Sequence, residues 1–133
     1  MVNSQTQTWQ QRIDNARAEG LAARVFYIVF TEPAKDRESV QRHLGIHLEY
    51  QRDLEKRGIL VAAGPLSDEK GEVWTGKGMI IYRAKNIAEA RKIADGDPMH
   101  RDGVRTYRLI PWLMNEGSFT LSIKLAAQQV EFS

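Results

Sequence analysis

The chain has 133 residues, 19 of them basic and 17 acidic, for a net charge of +2, and 42% of it is hydrophobic against 27% charged. That length supports one core and excludes two independent ones. The composition excludes a disordered or membrane-embedded chain, and charges scattered in both signs give no block for nucleic acid or a membrane surface. Because the chain contains no cysteine, a disulfide framework, Cys-ligated zinc and a thiol nucleophile fall away together.

The N-terminus, MVNSQTQTWQQR, lacks the charged start and apolar run of a secretion signal. No later stretch approaches the roughly 20 apolar residues of a membrane span, so a cytoplasmic protein is expected. Residues 1–22 form an N-terminal extension in which Trp9, Ile13, Ala16 and Leu21 recur at loosely helical spacing. A core domain follows over residues 23–116. It begins with RVFYIVF, Arg24 to Phe30, a dense β-branched and aromatic run that predicts a central strand ending at Glu32-Pro33.

From Asp36 to Arg57 the apolar residues Val40, Leu44, Leu48 and Leu54 predict a long amphipathic helix, with Gly58 in the place of a C-terminal cap. ILVAAGPL then reads as a short strand, SDEKGE as a turn and VWTGKGMIIYRA as the return strand of a hairpin. Asn86 caps a second helix through about Asp95, with Gly96 and Pro98 ending it, and VRTYRLIPW is the last core strand.

The order β-α-β-β-α-β defines an α+β, ferredoxin-like domain with both helices on one face of a four-stranded antiparallel sheet. Strand one is apolar on both faces, since Val25, Tyr27 and Val29 alternate with Phe26, Ile28 and Phe30. The helix-free face therefore needs a cover. A second copy supplies it most economically, giving a dimeric α/β barrel; the other possibility is the chain's own extensions. Residues 117–133 form a C-terminal extension in which FTLSIKL alternates as a half-buried strand, either extending a sheet edge or crossing to a partner.

At about 100° per residue, His47 falls within the apolar stripe of the first core helix, between Leu44 and Leu54. It faces the sheet or a pocket, as a general base or as a hydrogen-bonded core histidine. Asp68, with Ser67 beside it, stands at the mouth of the hairpin, where functional groups gather but where an aspartate is also an ordinary turn former. Asp97 before Pro98 is a site wall or a helix stop. His100, Arg101 and Arg105 offer positive charge to an anionic substrate, or are solvated surface charge. Tyr27, Tyr50, Trp74 and Trp112 suit the walls of an aromatic-sized pocket, or the core. His43 and His47 are spaced for a metal, but the glutamate of a zinc-protease helix is absent, and no metal is expected. No phosphate-cradling loop or nucleophile elbow occurs.

The run HLEYQRDLEKRGILVAAGPLSD, followed by Asp97-Pro98, Gly103 and Ile110-Pro111-Trp112, resembles the pattern of the YCII-related family over residues 24–116. The resemblance implies a ferredoxin-like fold, a dimeric barrel and an active-site pair at His47 and Asp68. Some members of that family resemble small dehydrochlorinases and lactone isomerases of aromatic breakdown. The function it implies is a cofactor-free lyase or isomerase in which His47 moves a proton and Asp68 orients the imidazole. The substrate is then a ring-derived organic acid, lactone or phenol, with Tyr27, Tyr50, Ser67, Asp97, His100, Arg101 and Trp112 around it. The expected partners are that small molecule and a second copy, as a homodimer or higher even oligomer, with neither nucleic acid nor membrane. A non-catalytic ligand-binding dimer is the alternative, and a cofactor-free oxygenase of aromatic substrates a further one by fold analogy.

Overall fold

Strand β1, Arg24–Pro33, alternates as its sequence demands: Tyr27, Val29 and Thr31 are buried while Phe26, Ile28 and Phe30 are half-buried on the opposite face. The computed structural model, which describes residues 6–133, places this strand inside a four-stranded sheet of order β2-β3-β1-β4. Here β2 is Leu60–Pro65, β3 is Gly78–Tyr82 and β4 is Arg105–Met114. β3 pairs antiparallel with both β1 and β2, and the register Tyr27↔Tyr82 and Val29↔Ile80 puts the buried side chains of neighbouring strands on one face.

Helices α2, Arg37–Lys56, and α3, Ile87–Gly96, cover that face. Each starts at a side-chain cap: Asp36 accepts from the Ser39 N–H at 3.1 Å, and Asn86 from the Glu89 N–H at 2.9 Å. Val29, Ile80 and Tyr82 of the sheet, Leu54 of α2 and Ala94 of α3 form the centre of the core. The order of elements and of strands is that of the ferredoxin-like α+β fold, as the spacing predicts.

Three details depart from the sequence reading. The return strand, read as VWTGKGMIIYRA, begins only at Gly78, and Val73–Lys77 is loop. Gly76 forces the break, because its φ is +93° and an added Cβ would lie 2.5 Å from Pro33 Cγ. Second, a short helix α4, Pro98–Arg101, follows α3 directly; the sequence reading took Pro98 only as a stop. Third, the α2 stripe is not uniformly sealed: Leu54 is 1% exposed, but Leu44 and Leu48 are 41% and 40% exposed. Their burial would require the sheet to reach under them, and a cavity lies there instead.

The helix-free face of the sheet is apolar. The Phe26 and Trp112 rings lie 6.2 Å apart, and Ile110 shares the outward face of β4 with Trp112. Arg83 stacks over Phe26 at 5.7 Å and Arg108 over Phe30 at 5.1 Å.

The described residues up to Arg24 together with those from Leu113 onward form one compact unit, and Val25–Trp112 form the other. In it α1, Trp9–Ala18, opens with a capping box between Thr8 and Gln11. Residues 1–5 of the expected N-terminal extension lie outside the described residues. The tail strand expected over FTLSIKL is shortened to β5, Leu121–Lys124. It pairs with a further strand, β6, Gln129–Phe132, rather than extending the core sheet. The sequence reading overlooked β6 because four residues of mixed polarity carry too little pattern to register.

Candidate active site

Beneath the open part of α2 lies a cavity of about 370 Å³, within the size range of small-molecule sites. Val40, Leu44, Leu48 and Gln51 of α2 roof it, Met79 and Ile80 of β3 floor it, and Met99, Trp74 and Arg105 close its sides. His47 is among these lining residues, one turn from Leu44 and from Gln51. The exposed leucines of α2 are thus the apolar wall of a pocket.

His47 Nδ1 stands 2.7 Å from Asp97 Oδ2. A carboxylate only accepts, so Nδ1 carries a proton and donates, and Nε2 has no hydrogen-bond partner among the described residues. Asp97 is fully buried, and a buried carboxylate must be hydrogen-bonded to be tolerated. Its second oxygen accepts from the Met99 N–H at 3.0 Å, capping α4. Asp97 is therefore held from both sides: it ends α3, starts α4 and fixes the His47 ring. An Asp-Pro step after a helix is a common stop; here the stop and the site are one residue.

The pairing of His47 with Asp68 is accordingly corrected. Asp68 Oδ1 accepts from the N–H groups of Glu72 and Val73 at 2.8 and 3.2 Å, and these backbone bonds hold its carboxyl below the usual carboxylate range. It builds the tight turn between β2 and β3, and the short-range N–H groups of its own loop satisfy it before any distant imidazole can. Ser67 donates to the Asp68 carbonyl at 2.8 Å in the same exposed turn.

The other expected substrate contacts have different places. Tyr27 is buried in β1, opposite Tyr82. Tyr50 donates to the Ile93 carbonyl at 2.7 Å, tying α2 to α3; burial first, then the nearby Asp97 charge, raises its pKa above the ordinary tyrosine value. Trp112 belongs to the helix-free face. Arg101 forks onto Asp102 at 3.0 and 3.2 Å. None of these six side chains, Tyr27, Tyr50, Ser67, Asp68, Arg101 and Trp112, lines the cavity.

His100 lies one layer behind the cavity wall. Its Nδ1–H donates to the Ala94 carbonyl at 2.8 Å, so Nε2 accepts from the Thr31 hydroxyl at 2.9 Å. Thr31 Oγ1 in turn accepts from Arg105 Nε at 3.0 Å. Burial pushes the His100 imidazole below its ordinary value of 6.5. The chain Arg105–Thr31–His100–Ala94 therefore runs in one direction with a neutral ring. His43 bonds to the Ser39 carbonyl and Asp102, away from His47.

Sequence reasoning missed Gln51, Thr31, Met79 and Met99. Gln51 was within reach of a wheel argument, being four residues beyond His47, and its buried side-chain oxygen has no hydrogen-bond partner among the described residues. Thr31 and the methionines come from other elements and carry no signal of their own.

A ferredoxin-like sheet with a helix-borne His-Asp pair over a pocket defines a class of small α+β domains. The YCII-related domain matches residues 25–113, and the chain belongs to that family. Among solved structures it is similar to a 5-chloro-2-hydroxyhydroquinone dehydrochlorinase (TftG) from Burkholderia phenoliruptrix AC1100, in complex with 2,5-dihydroxybenzoquinone. That match has a TM-score of 0.52 and 15% identity, over 65% of this chain and 92% of that one. An antibiotic biosynthesis monooxygenase is a looser match, with a TM-score of 0.41 and 12% identity over 71% of this chain and 100% of that one. No curated protein matches the chain.

Proposed function

We propose that the protein is a cofactor-free lyase or isomerase acting on a small ring-derived organic acid, lactone or phenol. The observation that carries this reading is the orientation of His47, whose Nδ1 is committed to buried Asp97 while Nε2 is left to the cavity.

Elimination and double-bond migration share a first step in which a base removes a proton next to an electron-withdrawing group. His47 Nε2 takes that proton. The imidazolium so formed is stabilised by the Asp97 carboxylate, which needs no rearrangement because both its oxygens are already placed. In an isomerase the proton returns to another carbon; in a dehydrochlorinase chloride leaves and the proton goes to solvent. The mostly apolar wall of Leu44, Leu48, Met79 and Met99 keeps water from competing and fits a ring. The dehydrochlorinase TftG, bound to a quinone, supports the substrate class through a shared fold. A second copy of the chain covers the helix-free face, making a homodimer, and the protein works in the cytoplasm.

The test is a screen of muconolactones and chlorinated hydroquinones with mass spectrometry of products. We expect His47→Ala and Asp97→Asn each to lower the rate on a converted substrate by about a hundredfold to ten-thousandfold, the range of general-base contributions. Asp68→Asn should leave it within about threefold, since a turn residue away from the base contributes little to proton transfer. Turnover unchanged in His47→Ala would remove the assigned base.

A further inference from the structure

The cavity at His47 does not end at Arg105. A second hollow, also about 370 Å³, shares Val40, Trp74, Gly76 and Arg105 with the first, so the two adjoin along these residues. Their linings differ in character. The first is apolar around His47, with Lys77 and the shared Arg105 as its cations, while the second adds Lys35 and Arg37 and no carboxylate.

Arg105 stands on the shared wall. Its Nε donates to Thr31 Oγ1 at 3.0 Å and its Nη2 to the Gly76 carbonyl, both neutral acceptors. A guanidinium has five N–H donors, so these two bonds fix the plane of the group and leave others unassigned. Among the described residues Arg105 makes no ion pair. The two carboxylates whose charge reaches it are engaged elsewhere: Asp97 is taken by His47 and Met99, and Glu32 approaches Lys77 at 4.0 Å. A half-buried, oriented and unpaired guanidinium between a ring-sized pocket and a cationic annex is the arrangement that receives an oxyanion in a forked contact.

We propose that Arg105 is the anion-anchoring residue of this site, and that the ligand is a small aromatic or ring-derived carboxylate whose body lies under His47 while its carboxylate points past Arg105 toward Lys35 and Arg37. This rests on the reading of the His47 cavity as a binding site and deepens it by excluding neutral lactones and esters as the preferred class. Lys35 and Arg37 add long-range attraction; Arg105 supplies the directed hydrogen bonds. Gln51, with its unpartnered oxygen on the same wall as His47, is placed to receive a ring hydroxyl.

Isothermal titration with hydroxybenzoate, phenoxyacetate and phenylacetate, each against its methyl ester, tests this on the full chain. Wild type should bind at least one acid about tenfold or more tighter than its ester, because an unmatched charged hydrogen-bonding group forfeits at least that factor. Arg105→Gln should reduce the preference to near onefold. His47→Ala should keep it, since the carboxylate is held elsewhere. Arg105 also braces the loop at Gly76, so the double variant Lys35→Gln, Arg37→Gln serves as a second probe. It should weaken acid binding a few-fold and flatten its salt dependence, with an unchanged melting temperature. Acid and ester binding equally to wild type, or an acid preference that survives Arg105→Gln, overturns the anchor and leaves the cavity reading intact. No binding of any acid or ester overturns both.

Discussion

Tyr82 is fully buried in the core, and its hydroxyl finds no hydrogen-bond partner among the described residues. Burial first, and the Asp97 charge next, push its ionisation far above the ordinary tyrosine range. An unpartnered buried hydroxyl costs about 1–3 kcal/mol of desolvation. Tyr82→Phe should therefore leave the fold intact and raise stability by about 1 kcal/mol or leave it unchanged, read from the urea midpoint at constant slope. A clear loss would mean that the hydroxyl has a partner. His100 gives a pH prediction with a definite sign. Its folded value is lowered from 6.5 by burial, so below that pH the unfolded chain binds the proton more readily than the native one. The contribution to stability is whole above 6.5, declines as pH falls from there toward the lowered native value, and levels off below it. Thermal melts between neutral pH and about pH 5 should show wild type losing more stability than His100→Gln; parallel curves would rule out His100 as the source.

Helices α3 and α4 meet at Gly96-Asp97, and that joint holds the carboxylate bonded to His47. A Cβ on Gly96 would stand 2.6 Å from the Tyr50 hydroxyl and 3.3 Å from its ring carbon. The glycine is there to let Tyr50 reach the Ile93 carbonyl and draw α2 against α3. Gly96→Ala should cost about 1–3 kcal/mol, the usual penalty of overpacking. It should also lower turnover by moving Asp97. In a Tyr50→Phe background, where the hydroxyl is gone, the same substitution should cost markedly less. A double-mutant cycle reads the coupling, and additivity would place the strain elsewhere. The β5–β6 hairpin is a contrasting element. Its register sets Leu121 opposite Phe132 and Ile123 opposite Val130, all exposed, so one face is wholly apolar. A two-stranded hairpin is marginal by itself, so this one depends on what packs against that face.

At the scale of the whole molecule the helix-free sheet face is the apolar surface on which the proposed homodimer rests. Phe26, Ile28, Phe30, Ile110 and Trp112 lie on it, with Ile110 and Trp112 38% and 39% exposed. We expect light scattering to give twice the chain mass, and Ile110→Lys to shift the protein toward monomer without altering its secondary structure, because a desolvated ammonium at the centre of a two-fold interface is unpaired on both sides. A monomeric wild type would show that the face is covered in another way.

The sequence alone determined the order of the core strands and long helices, which announce themselves through local periodicity: RVFYIVF by density, α2 by its stripe, α3 by Asn86 and Gly96; α4 and β6, four residues each, are too short to do so. It also located His47 on the inward side of α2, because a helical wheel is a local property. What only the tertiary structure decided is which groups meet. The family resemblance pointed to Asp68, twenty-one residues from His47, but the carboxylate that meets the imidazole is Asp97, fifty residues away. The packing of α3 on α2 and the turn of α4 bring it to 2.7 Å. Asp68 was lost to its own loop, whose N–H groups lie a few residues away and require no long-range ordering. The cavity was hidden for the same reason: Leu44 and Leu48 look like core on a wheel, and only the distance from helix to sheet reveals whether they touch the sheet or line a space above it.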